Sequence, residues 1–504
     1  MGMNNQPPIL RKEKVGVLHI PDAEYPTSPL FHPSVRYPEY PFPEFLAEGA
    51  NQIYEGVRRL FHQMGFELEN WGTALWNPLG HIVEPGMNVV IKPNFVLSQH
   101  KEGGNIWSII THPSVLRAIV DYCWIALRGE GKITIADAPQ YDCNFDELLN
   151  VTKLKELCDF YEQFPGPEVR VLDLRNYWSK KKHFPSMCLP LPGDPQGNIK
   201  VNLGEDSSLY DISPENFYGA VYHRHELCNS HSGGRHEYQL SRTIMGADVV
   251  ISVPKLKVHK KVGVTLNLKG LVGICTNKNL LLHYTLGSPK DCGDQYPERH
   301  FSAMEEKLIR LERWMYDSLL AHRSVPLEYL HRAIYWLHGK TLQHLGITVA
   351  AEKRLLDAGN WYGNDSAWRM VVDLLKCFYF MDLAGRLHGS LQRRMFSIID
   401  GIIGGENKGP LVPDAKRAGV LLAGKNLLAV DLVATRLMGF DPMKLKIFRK
   451  TLEDSRFDFG IHKLDDIEVI STDSLWERCL INNDESFLAF KPYPGWVGHI
   501  EIAP

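Results

Sequence analysis

The sequence lacks most of the features that identify a chemistry at first sight, and each gap excludes something. Its nine cysteines are scattered and odd in number, and no two form a Cys-x-x-Cys pair. That argues against an iron–sulfur cluster, a zinc ribbon or a disulfide framework, and for a reducing compartment. No apolar run approaches the roughly 18 residues of a membrane span, and Met1 to Val15 holds no apolar stretch of signal-peptide length. The expectation is a cytoplasmic protein with no membrane partner. Neither a Walker A sequence nor a Gly-x-Gly-x-x-Gly fingerprint occurs, so ATP and NAD are not inferred, and without a Gly-x-Ser-x-Gly elbow a serine hydrolase is not expected. A formal net charge of -3 gives no general attraction for nucleic acid, so any anion must be captured locally.

What is present points to an α/β protein. At 504 residues and 44% hydrophobic, the chain is long enough for two or more domains. Val89 to Ile91 reads as a buried strand, Pro113 to Leu127 as a helix and Ile133 to Ala136 as the next strand. Strand, helix, strand at this spacing is a βαβ unit, and hence a parallel sheet. Val249 to Val253 is a further β-branched strand, and Pro254 is expected to take the chain out of the ladder. The first part of the α/β core is placed at 85–299, with a loop-rich excursion over 178–222. Long helices dominate 300–395, read as an insertion, before strand texture returns over 396–445. A Pro- and aromatic-rich wrap with one helix fills 1–84, and a docked carboxy-terminal segment fills 446–504.

A run of charged residues follows the Val249 strand: Lys255, Lys257, His259, Lys260, Lys261 and Lys269, interleaved with Val264, Leu266, Leu268 and Leu271. Ligands in open α/β sheets sit at the carboxyl ends of strands. Lysines gathered there repel one another unless an anion or acidic cluster answers them. Other strands end in the same manner, in Lys92 and Asn94, in Asp137 and in Asp400, so one mixed acid–base cleft is expected.

Pro254-Lys255-Leu256-Lys257 with His259, followed by Thr265-Leu266-Asn267-Leu268-Lys269-Gly270, closely resembles the signature of the domain-of-unknown-function family numbered 362. Val90-Ile91-Lys92-Pro93-Asn94, Thr111-His112-Pro113, Ile133-Thr134-Ile135-Ala136-Asp137 and Ile398-Ile399-Asp400-Gly401 through Gly409-Pro410 to Ala429-Val430-Asp431 agree, in order. The resemblance spans about residues 85 to 445. Trp361 to Asp365 and Gly293 to Pro297 look like a longer branch of that family. The motifs are also distantly similar to the amino-terminal domain of nickel-pincer lactate racemases, which implies a Rossmann-like, mainly parallel sheet with helices on both faces. Many family members carry a ferredoxin-like cluster domain, of which this sequence shows no counterpart.

A second cluster, His223, His225, His231 and His236 with Cys228 and Gly233-Gly234, offers ligand types for a divalent metal, contacts for a substrate anion, or neither. The functional expectation is an enzyme acting on a small carboxylate- or phosphate-bearing metabolite. Lys92, Asn94, Lys255, Lys257, Thr265, Asn267, Lys269, Asp400, Glu406 and Asp431 would bind the ligand. His259 or His112 would move a proton and Asp137 would assist. The alternative is a non-catalytic metabolite- or cofactor-binding carrier using the same cleft. A homo-oligomer stays open.

Overall fold

Local sequence explains the elements that build the frame. Helix α1 (Gln52–Gln63) starts where the Asn51 side chain accepts from Tyr54 N at 3.1 Å, and places Ile53, Val57, Leu60 and Phe61 on one buried face. Helix α2 (Pro113–Leu127) opens on a proline, whose missing N–H costs nothing there, behind a His112 cap. The computed structural model describes residues 12–179, 188–219, 224–320, 324–344, 349–481 and 487–502.

The sheet is built from β1 (Glu13–His19), β2 (Asn88–Pro93), β3 (Lys132–Asp137), β4 (Glu168–Asp173), β5 (Val249–Val253), β9 (Arg394–Glu406), β10 (Asp414–Gly424) and β11 (Ile467–Ser471). Their order is β11-β1-β10-β9-β5-β2-β3-β4, and only β10 runs antiparallel to its neighbours. The fold is thus an α/β, Rossmann-like one with a mainly parallel sheet. Two short strands, β6 (Lys255–His259) and β7 (Gly263–Val264), extend it, and β8 (Leu282–Thr285) pairs with Phe217–Gly219 outside it.

Period-two alternation divides the strand side chains between two cores. Val89, Ile91, Ile133, Ile135, Ile251 and Phe396 face α1 and α2. Val15, Val17, Val90, Val250 and Leu422 face the opposite side, where α3 (Leu266–Gly270), α6 (Ala367–Phe380) and α7 (Leu427–Leu437) pack. Each such aliphatic contributes about 1.5–3 kcal/mol by leaving water. Helices α4 (Ala303–Leu320) and α5 (Val325–His344) lie in the stretch read as an insertion, whereas α6 is part of the core, with Val371, Leu374 and Phe378 buried. No described helix is long and apolar enough to cross a membrane.

Two local expectations are corrected. The wrap assigned to residues 1–84 contains a sheet strand, since β1 is hydrogen-bonded on both sides, Val15 facing Gly424 and Glu13 facing Ile467. Pro254 interrupts the ladder without ending it. The chain resumes at once as β6, which pairs with the far end of β9, Lys255 opposite Asp400 and Lys257 opposite Gly405.

Candidate functional site

The strand ends gather at one edge, but in separate groups. Lys92 Nζ lies 3.1 Å from Asp137 Oδ1, and Lys255 Nζ lies 2.9 Å from Asp400 Oδ2. The register jump between Lys255 and Lys257 sends alternate charges to different places. Lys255 enters a closed network: Tyr25 donates to Asp400 Oδ1 at 2.5 Å, Lys255 donates to Tyr25 at 2.6 Å, and His112 N donates to Asp400 Oδ2 at 2.9 Å. The His112 ring stacks on Tyr25 at 3.9 Å, and its Nδ1 caps α2 at Ser114 N. Lys255, Asp400 and His112 do not line the cavity formed by the neighbouring strand ends. They fasten the amino-terminal segment to the sheet edge.

Lys257 and His259 instead line a cavity of about 130 Å³ between the β2 and β3 ends and the 265–283 stretch, with Asn94, Asp137, Thr265, Lys269, Lys278 and His283. Asp137 accepts from Phe95 N at 2.7 Å and Ala138 N at 3.0 Å besides Lys92, so three donors fix it in the wall. Lys257 Nζ donates to Ile109 O at 2.6 Å, and Lys278 Nζ to Val272 O at 2.6 Å. Lys269 makes no ion pair, and Asn94 Oδ1 and Thr265 Oγ1 are buried without hydrogen-bond partners among the described residues.

Burial and mutual repulsion dominate the electrostatics. Desolvation, then Lys278, brings the Lys269 ammonium down to about 7. Desolvation lowers Lys278 to about 8 and holds Lys257 well below its usual range, where Lys255 adds to the effect. His259 and His283 are pushed well below ordinary histidine by desolvation and then by Lys269, so both rings are neutral at neutral pH. Their backbone bonds assign the tautomers. Lys261 N donates to His259 Nδ1 at 3.1 Å, which leaves the proton on Nε2; His283 Nδ1 faces Leu281 O at 2.9 Å, which leaves Nε2 a lone pair. One ring can donate to a ligand and the other can accept.

The Lys269 shift has a consequence for stability. Below about pH 7 both the folded and the unfolded chain hold this proton, and the full penalty of a buried charge applies; as pH rises from there towards the ordinary lysine range, only the unfolded chain keeps it, so folding is favoured. Lys269→Met should therefore be more stable than the parent by several kcal/mol at pH 6, with the difference closing by pH 10 in urea unfolding. A constant difference across that range would show that Lys269 is not the buried cation.

Asn267 and Asp431 do not line the cavity. Asp431 accepts from Asn267 N at 2.9 Å, Asn267 Nδ2 at 2.8 Å and Leu268 N at 2.8 Å, while Ser397 donates to Asn267 Oδ1 at 2.9 Å. These bonds hold Leu266 at a φ of 47°, a strained value for leucine, and so fix the turn that aims Thr265 and Lys269. Burial pushes the Asp431 carboxyl up to about 7 despite those donors. Glu406 is likewise elsewhere, accepting from Lys491 N at 3.0 Å and pairing with Lys416 at 3.3 Å.

Of the histidine cluster, His225, His231 and His236 do not line the cavity either. His225 is exposed and bonded to Asn229, and His231 faces His236 at 3.4 Å with its Nε2 on Leu280 O. His223 lies outside the described residues. No group of three or more His, Cys, Asp or Glu among the described residues is arranged to hold a metal ion. Sequence reasoning missed Lys278 and His283. The alternation Leu282-His283-Tyr284 was the available signal, a strand with a polar residue on one face.

No curated protein and no solved structure matches the chain, so the likeness to lactate racemases gains nothing from them. Residues 205–436, which include Lys255, Lys257, His259, Lys269 and Asp400, match the family model described as Domain of unknown function (DUF362), and over that stretch the resemblance read from the sequence holds.

Proposed function

We propose that the protein is an enzyme that captures a small anionic metabolite in the strand-end cavity and moves a proton on it. The observation that carries this reading is the Lys269 amino group, buried in the wall with no ion-pair partner among the described residues, beside two further lysines bonded to carbonyls. Lys257, Lys269 and Lys278 would hold the anion. His259 would donate from Nε2 and His283 accept at Nε2, close to the bound group. Asp137 and Asp431 act by positioning others. The nine cysteines are free thiols, which suits a cytoplasmic setting.

The test incubates the purified protein with pools of small carboxylates and phosphorylated metabolites in deuterated water, and follows substrate loss or deuterium uptake by NMR. For a substrate found in this way, His259→Gln should slow turnover by roughly 10²–10⁴-fold while leaving Kd within about tenfold. Lys257→Met should raise Kd first. Binding by the parent without turnover of any pool member, with both variants losing affinity alike, would instead identify a carrier.

A further inference from the structure

With its lysines protonated, the state that a bound anion favours, the cavity carries a countable surplus of positive charge. Its two carboxylates, Asp137 and Asp142, are each matched by a lysine outside the lining, Lys92 at 3.1 Å and Lys101 at 2.6 Å. The three lining lysines have no carboxylate of their own among the described residues. Carbonyl oxygens orient the amino groups of Lys257 and Lys278 without cancelling a charge, and among the described residues Lys269 lacks even that. All three side chains belong to buried residues, 0% exposed at Lys257, 7% at Lys269 and 5% at Lys278. A singly charged ligand would leave two such charges unanswered where solvent screens them poorly.

Resting on the anion reading above, we infer that the ligand is a small dianion, with two carboxylates or one phosphate. A cavity of about 130 Å³ encloses a group with about as many heavy atoms as benzene, so the enclosed, charged part of the ligand is small. The orphaned Asn94 Oδ1 and Thr265 Oγ1 mark where its uncharged part is held, because each is buried, polar and otherwise unsatisfied. The three lysines come from two elements, β6 and the 265–278 stretch, so the negative charge is met from both.

The test titrates the full chain at pH 7.5 by calorimetry with malonate, inorganic phosphate, acetate and acetamide. Malonate or phosphate should bind at least about tenfold more tightly than acetate, and acetamide should not bind. Binding of malonate alone points to a dicarboxylate and of phosphate alone to a phosphate compound; either sustains the inference. Lys269→Met, with Lys278→Met as the second variant should the first not fold, should bring the dianion-to-acetate ratio down towards unity. Acetate within about threefold of both dianions would overturn the dianion assignment while leaving the anion reading intact. No binding by any of the three anions to the folded parent would overturn both.

Discussion

Replacing Asp400 with alanine should lower stability by about 3–5 kcal/mol, the cost of breaking a buried ion pair from one side. Lys255 and Asp400 are both fully buried, and the carboxylate accepts from Lys255, Tyr25 and His112 N together. Its loss strands an ammonium with only a phenol beside it, and frees the segment that Tyr25 pins. The penalty belongs to the uncompensated charge rather than to the pair. Lys255→Met combined with Asp400→Leu should therefore recover most of the loss, since an apolar pair of similar volume is often as stable as a buried salt bridge. Urea unfolding of the two singles and the double makes the cycle. A loss below about 1 kcal/mol in Asp400→Ala would place the pair in water.

Gly273→Ala should be nearly as damaging, by about 3–5 kcal/mol, for a steric reason with an electrostatic result. An ideal Cβ at this position falls 1.8 Å from Asp137 Oδ1 and 2.6 Å from Lys92 Nζ. The carboxylate cannot swing away without losing Phe95 N and Ala138 N. The backbones cannot part easily either, because Ala138 N also donates to Gly273 O at 2.9 Å. The ion pair has to open, and the cavity wall moves with it, so anion affinity should fall by more than about tenfold in parallel. Gly270→Ala is the control: its nearest outside atom, Pro254 Cβ, is 4.0 Å away and its backbone is helical, so a change within about 1 kcal/mol is expected. Similar small losses in both variants would remove the steric argument.

Much of this frame could be read from residue patterns alone. The β-branched runs Val89 to Ile91, Ile133 to Ala136 and Val249 to Val253 sit in central parallel strands, and the polar residues after them do share one edge. Pattern could not say which of those residues face each other. The unequal advance of β6 and β9, two residues against five between Lys255–Asp400 and Lys257–Gly405, separates a structural pair from a cavity lysine, and periodicity holds no trace of it. The glycines after Asp400 resemble a loop, yet they let β9 run on to Glu406 beside β6. A Cβ on Gly404 would come within 3.0 Å of Leu256 O, and one on Gly405 within 3.0 Å of Lys257 Cβ. Asp431 and Asn267 stand in a recognisable motif, but their hydrogen bonds are to each other, to Ser397 and to backbone, which only three-dimensional placement reveals.

The position of β1 also bears on how the chain is made. Both its neighbours, β10 and β11, come from residues beyond 413, so Glu13–His19 leaves the ribosome long before any strand exists to pair with it. The group β9-β5-β2-β3-β4 can assemble without it, whereas the β10-β1-β11 half must close last, around a strand that has waited unpaired. Such late, long-range pairing is slow and leaves hydrophobic strand edges open to wrong partners. Expression of this protein should accordingly depend on chaperone supply more than its sheet content alone suggests.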